Sequence, residues 1–233
     1  MLFFSPLISQ NEKFSEEWRW IQFTTSSGLP SNNIQNILET KDGVVWVNTS
    51  EGIAYFDNYQ WIPIDSTKGL PPGFPSVMNE GDENSILVAI NGKLYHGNQK
   101  GFQLLSQGVL NAVNFSKNTI LIHSRYSLFL FENGSSHPFT PQENVTKGKT
   151  QNLYRTKSGN IWINTLSGLY LWKDDRWHKK FSTNEVSVYL NSLIEDGNGA
   201  GLASISAPVN IRGLWEWNLS TQPQRNTSEQ GEY

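Results

Sequence analysis

Two segments of this 233-residue chain repeat each other at an offset of 116 residues. Residues 43–61 align without a gap on residues 159–177, and Gly, Trp, Asn, Thr, Gly and Trp are identical at six of the 19 positions. Tryptophan is rare and glycine is typical of turns, so agreement at these positions is hard to obtain by chance and indicates a true internal repeat. A repeat restricts the fold to architectures built from stacked, similar units.

Weaker copies of the same pattern lie between and after these two segments. The central apolar positions of the five copies are 46, 87, 121, 162 and 202, at spacings of 41, 34, 41 and 40 residues. Each copy alternates polar and apolar residues over four short stretches that are separated by Gly, Asn and Asp, which is typical of antiparallel hairpins. The sequence therefore predicts an all-β protein, a β-propeller of four-stranded antiparallel blades with about five blades visible.

The tryptophans have a place in this fold. Trp46 and Trp162 fall at the same point of a predicted second strand, where a large ring can fill the gap between blade faces. Residues 20–23 precede Gly28 as residues 61–64 precede Gly69, so the chain begins with an outer strand. Such a strand would complete the last blade of the ring.

The blades are predicted over residues 18–218. Residues 1–10 are apolar and resemble the remnant of a signal peptide, and residues 219–233 form a polar tail or the start of another blade. At this spacing seven blades need about 280 residues. Two interpretations stay open: part of a seven-bladed propeller, or a closed five-blade ring.

Composition excludes several function classes. The net charge is -3, so the chain has no basic excess for a nucleic-acid partner, and no stretch is apolar enough to span a membrane. Because the chain has no cysteine, it has neither disulfides nor thiolate sites. The four histidines lie in different units without paired spacing, so we predict no metal, no cofactor and no catalytic residue.

The first copy resembles the two-component regulator propeller repeat. Residues 28–34 read GLPSNNI, residues 41–49 read KDGVVWVNT and residues 52–57 read GIAYFD, where the family has G-L-P-S-N-x-V, a D-x-x-G-x-[IL]-W-[IV]-G-T strand and G-L-x-x-[YF]-D/N. Asn48 and Asn164 replace the usual Gly. The resemblance implies the periplasmic or extracellular sensor part of a bacterial signalling protein, which senses a carbohydrate or another nutrient or mediates dimerisation. Any kinase or cyclase activity, and any membrane contact, would belong to a C-terminal part beyond this chain.

A ligand site is predicted on the propeller face formed by the loops before the first strands and after the second strands, because loops tolerate variation. The predicted ligand-binding residues are Asn32, Asn33, His123, Arg125, Tyr126 and Arg212. Amide, Arg and Tyr side chains suit a small polar ligand or an oligosaccharide. The alternative function is a carbohydrate-active propeller enzyme, a lyase or glycoside hydrolase, for which no pair of carboxylates stands out in the sequence.

Overall fold

The computed structural model describes residues 21–125, 127–140, 145, 150–182, 189–195, 200–206, 213–218 and 224–225. The described part contains twenty strands in five antiparallel sheets, and within each sheet the four strands follow one another in chain order. The strands are β1 (Ile34–Glu39), β2 (Val45–Thr49), β3 (Gly52–Phe56), β4 (Trp61–Ile64), β5 (Pro75–Glu80), β6 (Ile86–Ile90), β7 (Lys93–Asn98), β8 (Gly101–Gln107), β9 (Val109–Ser116), β10 (Thr119–Ser124), β11 (Leu128–Glu132), β12 (Ser135–Pro138), β13 (Thr150–Arg155), β14 (Ile161–Thr165), β15 (Gly168–Lys173), β16 (Arg176–Ser182), β17 (Tyr189–Glu195), β18 (Ala200–Ser206), β19 (Gly213–Asn218) and β20 (Gln224–Arg225).

The predicted five-blade pattern is confirmed. The central positions 46, 87, 121, 162 and 202 all lie in the second strand of a sheet. The turns that precede two of these strands contain Gly43 at φ 81° and Gly159 at φ 90°, the left-handed backbone conformation that glycine adopts without strain. Hairpin punctuation in the sequence therefore located these strands. The prediction that residues 20–23 complete the last blade is wrong, because residues 21–24 form no strand, Phe23 packs on Phe56 and Trp61 of the first sheet, and β20 is the fourth strand of the last sheet.

The first strand of each sheet lies innermost. Strands β1, β5, β9, β13 and β17 contact one another in succession across the sheet boundaries. Each of them carries a β-bulge near its start, so that one residue has no partner on the second strand of its sheet. A bulge re-aims side chains and is common beside functional sites.

Large side chains fill the space between neighbouring sheets. Trp46 and Trp162 are fully buried, and Trp46 meets Phe102 of the next sheet edge to face, with ring centroids 6.2 Å apart. The interface of the first two sheets includes Trp46, Ile53 and Ile64 from one sheet and Met78, Val88 and Phe102 from the other. The role predicted for the second-strand tryptophans is thus confirmed for Trp46.

Two glycines, Gly28 and Gly69, lie at equivalent places where the chain passes close to the outer strand of a sheet. Gly28 and Gly69 have φ values of 96° and 84°, and each follows a short 3-10 helix. A Cβ atom on either residue would overlap the backbone carbonyl oxygen of Trp61 or of Phe102, respectively. The Gly-Leu-Pro motif therefore reflects a close approach of two backbones, and it seats the buried Leu29 and Leu70 against the sheets.

Candidate functional site

Asparagines occupy matching positions on three of the inner strands. Asn36, Asn111 and Asn152 are each the first residue after the bulge of β1, β9 and β13, and each pairs with the fourth or fifth residue of its second strand. A fourth asparagine, Asn79, lies two positions further along β5. The repeated geometry brings all four amides to the centre of the propeller.

These amides join neighbouring sheets by bonds that all run in the same direction. Nδ2 of Asn36 donates to the carbonyl oxygen of Met78 at 3.2 Å, and Nδ2 of Asn79 donates to that of Ala112 at 2.7 Å. Nδ2 of Asn111 donates to the carbonyl oxygen of Leu153 at 2.9 Å. Since a carbonyl oxygen only accepts, these contacts also fix which amide atom is nitrogen.

The amides also bond one another. Asn79 donates to Oδ1 of Asn111 at 3.1 Å, Asn111 donates to Oδ1 of Asn152, and Asn152 donates to the Tyr154 hydroxyl at 3.1 Å. Burial raises the pKa of the Tyr154 phenol to about 12, so this end of the chain of amides stays neutral at physiological pH. The result is a continuous polar network across three sheets.

This network lines a cavity of about 560 Å³, which we call the axial cavity. Its described lining consists of Gln35, Asn36, Asn48, Phe74, Pro75, Ser76, Val77, Met78, Asn79, Leu110, Asn111, Asn152, Leu153 and Tyr154. The bulge residues Gln35, Ser76 and Leu110 are among them. Two large apolar side chains in this lining are half exposed, Phe74 at 51% and Leu110 at 52%. Polar groups that converge beside exposed apolar surface are typical of a small-molecule site.

His123, which the sequence analysis assigned to the binding face, lies on β10 opposite Asn111 and is only 2% exposed. It occupies the position that Asn48 and Asn164 hold in the first and fourth sheets, opposite Asn36 and Asn152. Asn48 donates from Nδ2 to the Pro75 carbonyl at 2.8 Å, and His123 bonds the backbone of Thr150, the equivalent first residue of the next inner strand. The imidazole therefore braces two sheets behind the amide network.

The environment of His123 keeps it uncharged. Burial lowers its pKa from 6.5 to about 4, against the opposing effect of the hydrogen bond to Thr150. Its Nδ1 atom is buried and has no hydrogen-bond partner. Protonation would place a charge in this interface without a compensating group.

The remaining predicted binding residues have different surroundings. Asn32 accepts a hydrogen bond from the Thr25 backbone, and Asn33 accepts one from Gln35, a residue of the axial cavity. Arg125 is exposed, two residues beyond His123. Tyr126 and Arg212 lie outside the described residues. The structure thus connects Asn33 to the cavity through Gln35, and the ligand-binding role of the six residues stays a prediction.

The inner-strand asparagines were not predicted as site residues, although the sequence contains a signal for them. Asn36 and Asn152 are separated by the same 116 residues as the repeated tryptophan segments. Extending that alignment toward the N-terminus would have paired them. The amides were overlooked because asparagine in a strand is unfavourable by propensity, and only its contacts across sheets explain its presence.

A second cavity, of about 650 Å³, lies at the second sheet. In it the Ser85 hydroxyl and Nε2 of His96 are 2.6 Å apart, a pairing that a nucleophilic serine would require. However, Ser85 is 4% exposed and donates to the backbone carbonyl of Asp82, while the Asp82 carboxylate accepts from Asn118 N at 2.6 Å and from Asn114. The pair fastens the turn between β5 and β6 to β7, and we assign it no chemistry.

A comparison with protein families identifies one copy of the repeat. Residues 28–51 match the model of the two component regulator propeller family. The chain carries a two component regulator propeller repeat. This match covers the Gly-Leu-Pro motif, the inner strand β1 with Asn36, and β2 with Trp46 and Asn48. No curated protein sequence matches the chain.

Solved structures similar to this chain share its fold at low sequence identity. The extracellular domain of BT4673 from B. thetaiotaomicron, described as a one component system, aligns with a TM-score of 0.63 at 12% identity over 86% of this chain and 30% of that one. PorZ of Porphyromonas gingivalis, a bacterial surface component of the type-IX secretion system, aligns at 0.59 and 12% over 83% and 26%. Virginiamycin B lyase from Staphylococcus aureus aligns at 0.56 and 12% over 76% and 64%.

The chain spans 30% of the length of the BT4673 extracellular domain. At these identities the likeness establishes the fold alone. Within the described residues, no helix is long and apolar enough to cross a membrane. The same part of the chain contains no cluster of three His, Asp or Glu side chains that could hold a metal ion.

Proposed function

We propose that this regulator propeller is an extracytoplasmic sensor domain of a bacterial signal-transduction protein and that it binds a polar nutrient, such as a carbohydrate, in the axial cavity. The matched repeat and the extracellular domain among its structural neighbours support the cellular role. The axial cavity supports binding, because its amides and half-exposed apolar side chains offer both hydrogen bonds and a surface for the ring of a sugar. The single observation that carries the proposal is this convergence of Asn36, Asn79, Asn111 and Asn152.

We propose a non-catalytic role. Glycoside hydrolysis needs two carboxyl groups about 5–10 Å apart across a cleft. Glu39 ends β1 opposite Val45, whereas Glu51 follows β2 beyond Thr49, so these carboxylates lie at opposite ends of the first sheet. The axial cavity itself contributes no carboxylate among its described lining residues. A lyase of the same fold exists among the neighbours, but that likeness concerns the fold alone.

The proposal is tested by screening mono- and oligosaccharides against the chain by thermal shift and measuring affinities by calorimetry. Phe74→Ala should weaken the binding of a saccharide about fivefold, because an aromatic contact is worth roughly 1 kcal/mol. Tyr59→Ala is the matched control, since Tyr59 is 87% exposed in the turn between β3 and β4, outside the axial cavity. Equal effects of the two substitutions would argue against this cavity. Arg125→Ala tests the predicted loop site in the same assay.

A further inference from the structure

The axial cavity presents amide oxygens that can accept hydrogen bonds. The Nδ2 groups of Asn36, Asn48 and Asn79 are all bonded to backbone carbonyl oxygens of the next sheet. Within the described structure, the Oδ1 atoms of Asn36 and Asn79 accept no hydrogen bond, and both side chains are at least partly exposed, whereas Oδ1 of Asn48 is buried. A ligand that covers the oxygens of Asn36 and Asn79 removes them from water, so its hydroxyl groups must donate to them.

Charge is the second feature of the lining. Its described residues are amides, a serine, a tyrosine and apolar side chains, with no Asp, Glu, Lys, Arg or His among them. The tyrosine is Tyr154, whose phenol stays neutral. A charged ligand would therefore lose its hydration without gaining an ion pair, and an anionic one would also face amide oxygens.

From these two features we infer that the axial cavity takes an uncharged ligand rich in hydroxyl groups, a neutral saccharide, and discriminates against acidic saccharides. The inference rests on the proposed function. Asn36 and Asn79 accept hydrogen bonds from the sugar hydroxyls, and Phe74 and Leu110 contact the apolar face of the ring. An acidic sugar meets no cationic side chain among the described lining residues.

The test compares neutral and acidic oligosaccharides of equal length. An array with malto-, xylo- and manno-hexasaccharides beside oligogalacturonate and chondroitin sulfate hexasaccharides is probed with the full chain, and positives are measured by calorimetry. We expect binding to at least one neutral series, acidic series at least tenfold weaker, and affinity that changes little between 50 and 500 mM salt. A polyamine is included, because a cation is also rich in donors.

A substitution that introduces binding of an acidic saccharide provides a stricter test. Gln35 is exposed at the cavity and bonds Asn33 at 2.8 Å, a bond that a lysine can also donate. Gln35→Lys should raise the affinity for oligogalacturonate several-fold at low salt and lose that gain at high salt. Gln60→Lys makes the same charge change in the turn after β3, outside the axial cavity, and should leave affinity unchanged.

The outcomes separate this inference from the proposed function. If an acidic hexasaccharide or the polyamine binds tightly and Phe74→Ala abolishes that binding, the inference is overturned and the cavity remains the ligand site. Binding of neither saccharide class nor the polyamine would overturn both. Neutral binding that Phe74→Ala leaves intact would overturn the inference as well, since the ligand would then lie elsewhere.

Discussion

Nδ2 of Asn111 lies 2.9 Å from the backbone carbonyl oxygen of Leu153, which belongs to the inner strand of the next sheet. Asn111 is 7% exposed, and it also accepts from Asn79 and donates to Asn152. A single amide therefore contacts three sheets. Its bonds are made where water has little access, so they contribute to cohesion more than a surface amide would.

Replacing this amide should destabilise the propeller. We expect Asn111→Ala to lower the free energy of unfolding by about 1–3 kcal/mol, because the Leu153 carbonyl and the Asn152 amide lose their partner in a buried place. Urea denaturation followed by tryptophan fluorescence measures the change. Asn36→Ala is the matched control, since Asn36 makes the equivalent bond at 3.2 Å but is exposed. A loss as large for Asn36 would show that burial does not determine the contribution.

Stability should fall as the pH is lowered toward 4, and His123 should cause much of the loss. The pKa of the folded imidazole is about 4 against an ordinary 6.5, so the unfolded chain binds the proton more strongly. The stabilisation is complete above pH 6.5 and decreases as the pH falls toward 4, by about 2–4 kcal/mol. Urea unfolding midpoints between pH 7.5 and 4 measure this slope.

His123→Asn provides the control for the pH dependence. Asparagine holds the same position in the first and fourth sheets, as Asn48 and Asn164, so the substituted side chain suits this backbone. It can donate to Thr150 as Asn48 donates to Pro75. The variant should retain stability at neutral pH and lose most of the slope between pH 6.5 and 4. An unchanged slope would assign the effect to other groups, such as His96, whose pKa burial also lowers.

The tryptophan between the first two sheets should be among the most costly residues to truncate. Trp46 is fully buried and packs on Tyr55 at 5.4 Å and on Phe102 at 6.2 Å between ring centroids. Trp46→Ala should cost about 3–5 kcal/mol, from lost burial and the cavity that remains. Tyr59→Ala, at an exposed position, should cost under about 0.5 kcal/mol. Thermal unfolding distinguishes the two, and similar midpoints would contradict the assigned packing.

Two glycines with nearly equal φ angles allow the cost of backbone strain to be measured separately from the cost of a steric clash. Gly69 at φ 84° and Gly43 at φ 81° impose the same conformational cost on alanine, about 1 kcal/mol. A Cβ on Gly69 would also overlap the Phe102 carbonyl oxygen, while one on Gly43 would meet nothing within 4 Å. Gly69→Ala should therefore lower the melting temperature clearly more than Gly43→Ala. Equal shifts would show that the backbone at Gly69 moves aside at little cost.

Much of the fold was predictable because its determinants are local. Alternation along the strands, Gly43 and Gly159 in turns, and tryptophan at a fixed point of the second strand recur at a constant period, so each copy supports the others. The candidate site was harder to predict, because its amides form hydrogen bonds across sheet boundaries. Asn79 and Ala112 are 33 residues apart, and their bond depends on how two blades pack. His123 was predicted as a ligand residue on the exposed face, yet its side chain is buried by the neighbouring inner strand.

The amide bonds between the inner strands limit which residues of this propeller can change without loss of stability. Asn79 and Asn111 hold the blades together and also determine the polarity of the cavity, so a mutation that retunes recognition there weakens the assembly at the same time. Phe74, Leu110 and Gln35 also line the cavity, but in the described structure they form no hydrogen bond to a neighbouring sheet. Substitutions at the bulges and in the segment before β5 can therefore change the wall of the cavity without loosening the contacts between blades.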